Sequence, residues 1–472
     1  MMHHQQHTHD LQPSLKPRHL NMIALGGVIG AGLFVGSGVV IKATGPAAIL
    51  SFLITGLLVV LVMRMLGEMA AAMPGSGSFY DYARAAWQDR PALGQLAGFL
   101  TGWMYWYFWV IVVALEAVAG ANLVRYWLPD WPSWAISLGL LLSLTLSNLV
   151  SVKSFGEFEF WFSSIKIAAI VAFLLLGSLY VLGLWPGHGM DFSNLTAHGG
   201  FAPHGLMPVL SGAVAATGFY FGAEIITIAA AESAEPQKAI ARATQSVIAR
   251  VLVFYIGSIL LVVCLLPWNS HGISTPYVSA LEVMGIPAAA QIMNAVVLVA
   301  VLSALNSGLY ASSRILFALT RRGDAPQALA KLNRNGLPVR AILFATLFGY
   351  AAVVMSYLSP DTVFAFLVDS YGTVAIFVYL LIAISQLRLR TRLEKEMPER
   401  LQIRMWAFPY LSYLAIVGML GILVAMAFIP EQRSPLLLGV TSLAILLASY
   451  LARQQWLRRK LPTPFVTEFA DK

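Results

Sequence analysis

The 472-residue sequence has a single cysteine, Cys264, and few charged residues. One cysteine excludes a disulfide bond within the chain, so no such cross-link stabilises the fold. Asp, Glu, Lys and Arg together make up 11% of the residues, whereas hydrophobic residues make up 58% and the mean hydropathy is +0.74. This composition excludes an ordinary soluble domain and indicates a membrane protein that crosses the bilayer many times.

Histidine is missing from the middle of every apolar segment, because all nine histidines lie in tails, in loops or at the start of the first segment. His188, His198 and His204 share one polar loop, but their spacing matches no metal-binding motif. No cluster of His, Cys and Asp occurs within the apolar segments. The sequence therefore predicts no metal site, no cofactor and no enzyme activity.

Apolar runs of roughly 20 residues are long enough to span the hydrocarbon core of a bilayer, which is ~30 Å thick. Twelve such runs predict an all-α integral membrane protein with twelve transmembrane helices. Their approximate bounds are 19–41, 46–70, 96–127, 133–152, 158–183, 206–230, 244–267, 290–320, 338–357, 362–387, 406–428 and 434–456.

The net charge of +8 follows this topology and does not require nucleic acid as a partner. With the N-terminus inside the cell, only Lys42, Arg125 and Arg433 of the 30 basic residues lie outside, and Lys166 lies within a span. The remaining basic residues lie in or beside the cytoplasmic segments, as the positive-inside rule requires. We therefore expect both termini in the cytoplasm and a lipid bilayer around the chain.

The first apolar run, Asn21 to Val40, contains six glycines, and each glycine weakens a helix by about 1 kcal/mol relative to alanine. In hydrocarbon, an interrupted helix persists only where its unpaired peptide groups face protein, water or a ligand. We therefore expect this helix to be unwound at its middle and to bind something there. Close helix packing is the alternative, because Gly26 and Gly30, like Gly32 and Gly36, fit the G-x-x-x-G pattern.

The two ends of such a break present opposite partial charges. A half-helix that begins near Ala31 directs free N–H groups and the positive end of its dipole at an anion such as a carboxylate. A half-helix that ends near Val28 leaves carbonyl oxygens free for an ammonium group. A nucleotide is not the expected ligand, because no strand precedes the glycines and no G-K-[ST] motif follows them.

The sixth run also contains glycines in its middle, Gly218 and Gly222, and Glu224 follows two residues after Gly222. The second interrupted helix comes five spans after the first, which predicts a five-plus-five inverted repeat with two extra C-terminal helices and a site at the midplane. The expected segments are a cytoplasmic N-terminal tail (1–18), the first repeat (19–183), a periplasmic loop (184–205), the second repeat (206–390), a connector with spans 11 and 12 (391–457) and a cytoplasmic C-terminal tail (458–472).

Two ionisable residues lie deep in apolar runs, Glu116 in the third and Lys166 in the fifth. A charge at that depth is costly, so each residue pairs with a partner, stays neutral or serves transport. A buried lysine can gain and lose a proton during a transport cycle. The eighth run adds a polar stripe that we expect to face the bundle interior: Ser303, Asn306, Ser307 and Tyr310.

Three further features are expected at the cytoplasmic face. Arg64 and Glu68 are expected to form a solvated pair at the end of the second span. Residues 74–87, PGSGSFYDYARAAW, indicate a short amphipathic segment on the surface. Residues 388–404, RLRTRLEKEMPERLQIR, are interpreted as a solvated connector.

Several segments in matching order resemble bacterial amino acid permeases of the amino acid–polyamine–organocation superfamily: MIALGGVIGAGLFVGS, VMRMLGEM, GSF, VKSFGEFEFWFSSIKI and GAEIITIAAAES. The resemblance covers about residues 16 to 460. Within the family, the chain looks most like the GABA permease branch through GAEIITIAAAES, LNSGLYASSRILFALTRRGDAP, FLVDSYG and YLLIAISQLRLR.

The resemblance implies proton-coupled symport across the cytoplasmic membrane by alternating access. It also implies that backbone N–H groups of Ala31 and Gly32 hold the substrate carboxylate, while carbonyls of Val28, Gly218 and Phe221 hold the amino group. Many relatives have Ser or Thr at the position of Ala31, so carboxylate binding is expected to rely on backbone donors here.

Lys166 matches the lysine that, in sodium-independent relatives, occupies the place of a sodium ion beside the first and eighth spans. The candidate residues for proton coupling are Lys166, Glu116, Glu224 and Ser307.

Gly218 occupies a position where relatives usually have a bulky aromatic residue that caps the substrate. Either one of Phe219, Tyr220 and Phe221 takes over the cap, or the pocket is larger than in a typical GABA carrier. The candidate substrate-binding residues are Val28, Gly30, Ala31, Gly32, Gly218, Phe219, Tyr220, Phe221 and Gly222.

We therefore expect a secondary active transporter that imports a small zwitterionic amino acid, GABA or a related ω-amino acid, by proton symport in the cell inner membrane. It is expected to act as a monomer or weak oligomer. An α-amino acid, whether neutral, aromatic or basic, is the alternative substrate. A channel or a membrane sensor is a more remote alternative, which saturable, gradient-coupled flux would exclude.

Overall fold

The computed structural model describes residues 15–26, 29–30, 32–73, 78–232, 235, 240, 250–333 and 336–460. Regular structure in these ranges is helical, apart from short bridges such as the one between Leu182 and Met190. The predicted all-α class is therefore confirmed. The helices used below are α1 (Pro17–Gly26), α2 (Ser37–Thr44), α3 (Ala48–Ala72), α4 (Ser78–Ala85), α5 (Pro91–Val124), α6 (Ser133–Val150), α7 (Val152–Val181), α8 (Met207–Thr217), α9 (Ile225–Ala229), α10 (Ser258–Leu265), α11 (Pro276–Val283), α12 (Ala289–Arg321), α13 (Val339–Leu358), α14 (Pro360–Glu396), α15 (Tyr410–Phe428) and α16 (Arg433–Lys460).

Ten helical stretches of the described residues are long and apolar enough to cross a membrane. Two features separate this number from the predicted twelve. The stretch Gly32–Ala72 joins α2 and α3 through a short turn at Gly45–Ala47, so it combines part of the first predicted span with the second. The seventh predicted span contains only the shorter apolar helix Val253–Leu265, and residues 241–249 lie outside the described ranges.

The sixth predicted span changes geometry at its glycines. Helix α8 ends at Thr217, and a single 3₁₀ turn, Gly218–Tyr220, follows. Phe221 is then extended, and Gly222 has a φ of +111°, a left-handed conformation that residues with a side chain rarely adopt. Helical geometry resumes at Ile225 with α9. The chain therefore turns within this span, and glycine at 222 is what permits the turn.

The long helices α5 and α12 pack along each other at the centre of the fold. Helix α7 packs against α12 and along α1, while α3 packs against α8. Buried apolar side chains from most of these helices form one large core cluster. This arrangement brings Ile29, Gly30 and Gly32, the turn that begins at Gly218, and the middle of α5, α7 and α12 together.

Glu68 of α3 is buried, which corrects the expectation of a solvated pair with Arg64. Its carboxylate accepts hydrogen bonds from Gln386 Nε2 at 2.8 Å, from Arg390 Nη1 at 2.6 Å and from the N–H of Met405 at 2.6 Å. Arg64 instead donates to a carbonyl oxygen of the segment before α15. Three donors satisfy the buried carboxylate of Glu68, and all three lie more than 300 residues away along the chain.

The charge-rich stretch 388–404 is only partly a solvated connector. Helix α14 continues through it to Glu396. Arg390, inside this stretch, is 5% exposed and pairs with Glu68. The expectation failed because charges that alternate in sequence can face opposite sides of a helix, one buried and one in water.

Helix α4, expected on the cytoplasmic surface, is packed into the protein, with Phe79, Tyr80 and Tyr82 buried. The hydroxyl of Tyr80 donates to Asp324 Oδ2 at 2.7 Å, and Arg453 Nη1 of α16 lies 3.1 Å from Asp324 Oδ1. Asp324 follows α12, so one buried carboxylate ties three parts of the chain together at this end of the bundle.

Candidate functional site

A cavity of about 90 Å³ lies between the two spans that carry the glycine clusters. One water molecule needs roughly 10–15 Å³ of such volume, so the cavity accommodates several waters or one small solute. Its walls are formed by Ile29, Gly30, Gly32, Phe108, Trp109, Val112, Leu115, Glu116, Lys166, Gly218, Phe219, Phe221, Ile225, Ser303, Ala304 and Ser307.

The first span approaches the cavity where its helix is interrupted. Helix α1 ends at Gly26, and a π-helical turn begins at Gly32. Ile29 and Gly30 between them lie outside regular helix and line the cavity. Val28 and Ala31, predicted to present a carbonyl and an N–H group to the substrate, lie outside the described residues.

The three aromatic residues after Gly218 point to different places. Phe219 and Phe221 line the cavity. Tyr220 is fully buried away from it, donates to the carbonyl of Phe52 at 2.8 Å and stacks on Tyr255. Of the three candidates for a cap, the structure therefore brings Phe219 and Phe221 to the cavity and not Tyr220.

Lys166 of α7 also lines the cavity and is 2% exposed. Its ammonium group donates to the carbonyl of Gly26 at 2.8 Å and to Ser303 Oγ at 2.9 Å. Gly26 is the last residue of α1, and its carbonyl oxygen also accepts a hydrogen bond from the N–H of Ile29 at 3.1 Å. The end of α1 thus supplies an acceptor to a buried cation.

Glu159 is a buried carboxylate of α7 that the sequence analysis did not single out. Its Oε1 accepts from Ser303 Oγ at 2.6 Å and from Ser163 Oγ at 3.0 Å. Its spacing was an available signal, because residues at positions 159, 163 and 166 lie on one face of a helix. Lys166, Ser303 and Glu159 form a continuous hydrogen-bonded chain.

Glu116 and Ser307 also line the cavity, from α5 and α12 respectively. The predicted polar stripe of α12 therefore reaches the cavity through Ser303 and Ser307. Asn306, on the same helix, instead accepts a hydrogen bond from Asn148 of α6 at 3.0 Å. The structure thus brings Glu116, Lys166 and Ser307 to one place.

Glu224 does not line the cavity and is fully buried beside it. Tyr105 and Tyr379 donate to its carboxylate at 3.3 and 2.9 Å. The N–H of Gly222 donates a third hydrogen bond to this carboxylate at 3.1 Å, so Glu224 stabilises the turn at Gly222 in the same span. This predicted coupling residue is therefore separate from the Lys166 chain.

The cavity combines few polar groups with an aromatic wall. One cation, one carboxylate, two hydroxyls and main-chain groups converge on a space otherwise lined by apolar side chains. Within the described ranges, no group of three or more His, Cys, Asp or Glu side chains is placed to hold a metal ion. This arrangement suits the binding of a small polar molecule with an apolar part.

Comparison with known sequences gives the family. The family model described as amino acid permease matches residues 19–462. This match spans the described helices that build the cavity.

Named relatives agree with that match. The gamma-aminobutyric acid permease of Bacillus subtilis (strain 168) is 54% identical over 443 residues, which cover 93% of each chain. The gamma-aminobutyric acid permease of Escherichia coli (strain K12) is 48% identical over 428 residues, 90% of each chain. The aromatic amino acid transport protein AroP of Corynebacterium glutamicum is 41% identical over 430 residues, 90% of this chain and 91% of the relative.

Proposed function

This chain belongs to the amino acid permease family of membrane transporters, and from that premise we propose that it imports GABA or a related ω-amino acid by proton symport and alternating access. Two gamma-aminobutyric acid permeases, at 54% and 48% identity over at least 90% of the chain, support this substrate class. The observation that carries the mechanism is the convergence of two irregular spans and Lys166 on one small cavity.

The proposed architecture has twelve transmembrane helices: a five-plus-five inverted repeat with the first and sixth helices unwound, and two further C-terminal helices. Its two matching interruptions would lie between the end of α1 at Gly26 and the helical turn that begins at Gly32, and at Gly218–Gly222. We place both termini in the cytoplasm and the protein in the cell inner membrane, because the basic residues outside the spans concentrate on one side. We propose a monomer or weak oligomer as the working unit.

The proposed substrate site uses the two interruptions for the two ends of a zwitterion. N–H groups at Gly30, Ala31 and Gly32 would receive the carboxylate at the start of a half-helix, where the helix dipole favours negative charge. Carbonyls at Val28, Gly218 and Phe221 would receive the ammonium group. For an ω-amino acid, the methylene chain would lie against the rings of Phe219 and Phe221, which line the same cavity.

The proposed coupling ion is a proton carried by Lys166, with Glu116 and Ser307 beside it at the cavity and Glu224 buried nearby. A lysine that hydrogen-bonds the end of α1 can stabilise one position of that helix when charged and release it when neutral. The charge state of the lysine would thereby bias alternating access.

Uptake into proteoliposomes with an imposed pH gradient tests the proposal. We expect labelled GABA to accumulate inside when the outside is acidic, with saturable kinetics, and no accumulation when a protonophore collapses the gradient. Competition by unlabelled ω-amino acids of graded length is expected to show an optimum at four carbons. Flux that never exceeds the outside concentration would contradict symport and favour a channel.

An α-amino acid is the second candidate substrate, and one observation favours it. Gly218 leaves room at the cavity where a larger residue would narrow it, and a relative at 41% identity is an aromatic amino acid transport protein. In the same competition assay, displacement of labelled GABA by phenylalanine or leucine at lower concentrations than by unlabelled GABA would select this candidate.

A further inference from the structure

Glu159 is buried in the bundle close to the proposed proton site but outside the cavity wall. It is fully buried and lies seven residues before Lys166 on α7, roughly 10 Å along the helix axis and nearer its Val152 end. Its Oε1 has two hydroxyl donors, whereas its Oε2 has no hydrogen-bond partner within the described residues. A buried carboxylate oxygen without a partner is costly, and such a group calls for an explanation.

The hydrogen bonds between Lys166 and Glu159 run in one direction. The Lys166 ammonium donates to Ser303 Oγ at 2.9 Å, and the Ser303 hydroxyl donates to Glu159 Oε1 at 2.6 Å. Ser303 is therefore both an acceptor from the cation and a donor to the anion. This order of donors and acceptors is the one that a proton transfer from lysine to carboxylate requires.

We propose that Glu159 is the carboxylate that exchanges the transported proton with Lys166, and that the Ser303 hydroxyl carries the proton between them. The inference rests on the proposed proton symport and names the second proton site of that mechanism. Lys166 would load from the cavity, and Glu159 would unload toward the Val152 end of α7, which is cytoplasmic in the proposed topology.

The transfer balances without any further reactant. One N–H bond of the Lys166 ammonium breaks as the Ser303 oxygen gains that proton, and the original Ser303 O–H bond breaks as Glu159 gains its proton. The products are a neutral amine and a neutral carboxylic acid. An ion pair is thereby exchanged for two uncharged groups, which lowers the electrostatic cost of moving them through a low-dielectric interior.

The end of α1 covers the hydrogen-bonded path from Lys166 through Ser303 to Glu159 in the present conformation. A Cβ atom placed on Gly26 would lie 2.0 Å from Ser163 Oγ, so only glycine fits there without a shift of Ser163. Ser163 in turn donates to Glu159, and the Gly26 carbonyl accepts from Lys166. Movement of α1 away from α7 would therefore open Lys166 and Glu159 to water together.

The other charged groups described near this hydrogen-bonded path either line the cavity or form ion pairs with other residues. Glu116 of α5 lines the same cavity as Lys166. Arg18 and His19 of α1 pair with Glu157, which points to the surface side of α7. Arg314 of α12 pairs with Glu232 at 2.9 Å, and α6 has no charged residue. Within the described part of the chain, Glu159 is thus the carboxylate that hydrogen bonds connect to Lys166.

The test uses the full-length chain in proteoliposomes, with labelled GABA and a membrane potential clamped at zero. A gradient of one pH unit supports about ten-fold accumulation for one proton per substrate, because one pH unit is a ten-fold ratio of proton activity across the membrane. We expect Glu159→Gln to abolish this accumulation, and the proton uptake that accompanies it, while counterflow without a gradient continues. The matched control is Glu157→Gln on the same helix, which is expected to accumulate GABA like the unmodified chain.

Ser303 provides a second test that leaves both charged residues in place. Ser303→Ala is expected to abolish gradient-driven accumulation, and Ser303→Thr, which keeps a hydroxyl, is expected to restore it. This pair decides the question if Glu159→Gln does not fold. Full accumulation by Glu159→Gln, or by Ser303→Ala, would overturn the inference. So would an equal loss of accumulation and counterflow that Ser303→Thr does not reverse, since that pattern indicates a purely structural role.

Failure of this inference is distinguishable from failure of the proposed function. If the unmodified chain shows no gradient-driven accumulation, proton symport itself is wrong and the inference falls with it. If Lys166→Ala abolishes accumulation while Glu159→Gln does not, symport stands and only the role of Glu159 is wrong.

Discussion

The ring of Phe219 lies across Gly32, so that a Cβ atom placed on Gly32 would come within 2.5 Å of Phe219 Cδ1. The far edge of the same ring meets Gly36, where an added Cβ would lie 2.5 Å from Phe219 Cζ. These two glycines of the first span therefore make room for an aromatic side chain of the sixth. Gly32 both lines the cavity and permits this close packing, whereas ligand binding at the interruption stays a prediction.

Gly32→Ala is expected to displace the Phe219 ring into the cavity and to weaken substrate binding. One extra methyl group in a pocket changes the binding free energy by about 1–3 kcal/mol, so the KM for uptake should rise roughly ten-fold or more. Gly421→Ala is the control, because a Cβ atom there would meet nothing within 4 Å. An unchanged KM for Gly32→Ala, with normal expression of both variants, would contradict the packing argument.

Gly218→Phe is expected to narrow the substrate range. The residue lines a cavity of about 90 Å³, and a phenyl ring would take much of that space. In competition assays, large α-amino acids should lose potency more than four-carbon ω-amino acids do. Gly218→Ala, which adds a single methyl group, should give an intermediate profile. If the profile of Gly218→Phe matches that of the unmodified chain, Phe219 and Phe221 already limit the cavity by themselves.

Glu68→Ala is expected to destabilise the whole bundle, because it leaves buried donors of Gln386, Arg390 and Met405 without their acceptor. Removing one partner of a buried ion pair lowers the free energy of unfolding by about 3–5 kcal/mol. Glu394→Ala is the matched control, since Glu394 binds the same Arg390 but its side chain is 46% exposed. Glu394→Ala should lower the free energy of unfolding by about 1 kcal/mol or less.

The measurement for this pair is the apparent Tm in detergent at one fixed scan rate, because membrane proteins of this size commonly unfold irreversibly. Glu68→Ala should lower the apparent Tm clearly more than Glu394→Ala does. Equal effects of the two substitutions would mean that burial of Glu68 contributes nothing beyond its contact with Arg390.

Asp324→Ala is expected to loosen the packing of α4 and α16 against the end of α12. Tyr80 and Arg453 would lose their acceptor, and Arg84 would lose a carboxylate 3.5 Å away. Limited trypsin digestion after the neighbouring Arg322 should become faster. Asp89→Ala is the comparison, because Asp89 pairs with Arg388 on the surface, and it should leave the digestion rate unchanged.

The sequence predicted the parts of this protein that depend on local pattern. Apolar runs located the long helices, and glycines inside them located the interruption at 218–222. Depth in an apolar run was enough to identify Lys166 and Glu116 as candidate site residues, because an ionisable side chain within a membrane span is energetically costly. Both residues line the cavity.

Partners that are distant in the chain were not predictable in the same way. Arg64 is near Glu68 in sequence, yet the hydrogen-bond donors to the Glu68 carboxylate are residues beyond position 380. Glu159 was overlooked because it lies only seven residues into α7, where a carboxylate looks like part of the helix end. Only the packing of α7 against α12 reveals its connection to Ser303.

Gly26 accepts a hydrogen bond from Lys166 through its carbonyl oxygen, and it packs so closely on Ser163 that an added Cβ atom would lie 2.0 Å from Ser163 Oγ, so one residue carries both contacts. A tilt of α1 that breaks one of them strains the other at the same moment. In the proposed proton symport, proton release and exposure of the site to the far side of the bilayer would thereby occur in one event. A futile cycle, in which protons run downhill without cargo, would need the two to occur separately, and the geometry of this glycine works against that leak.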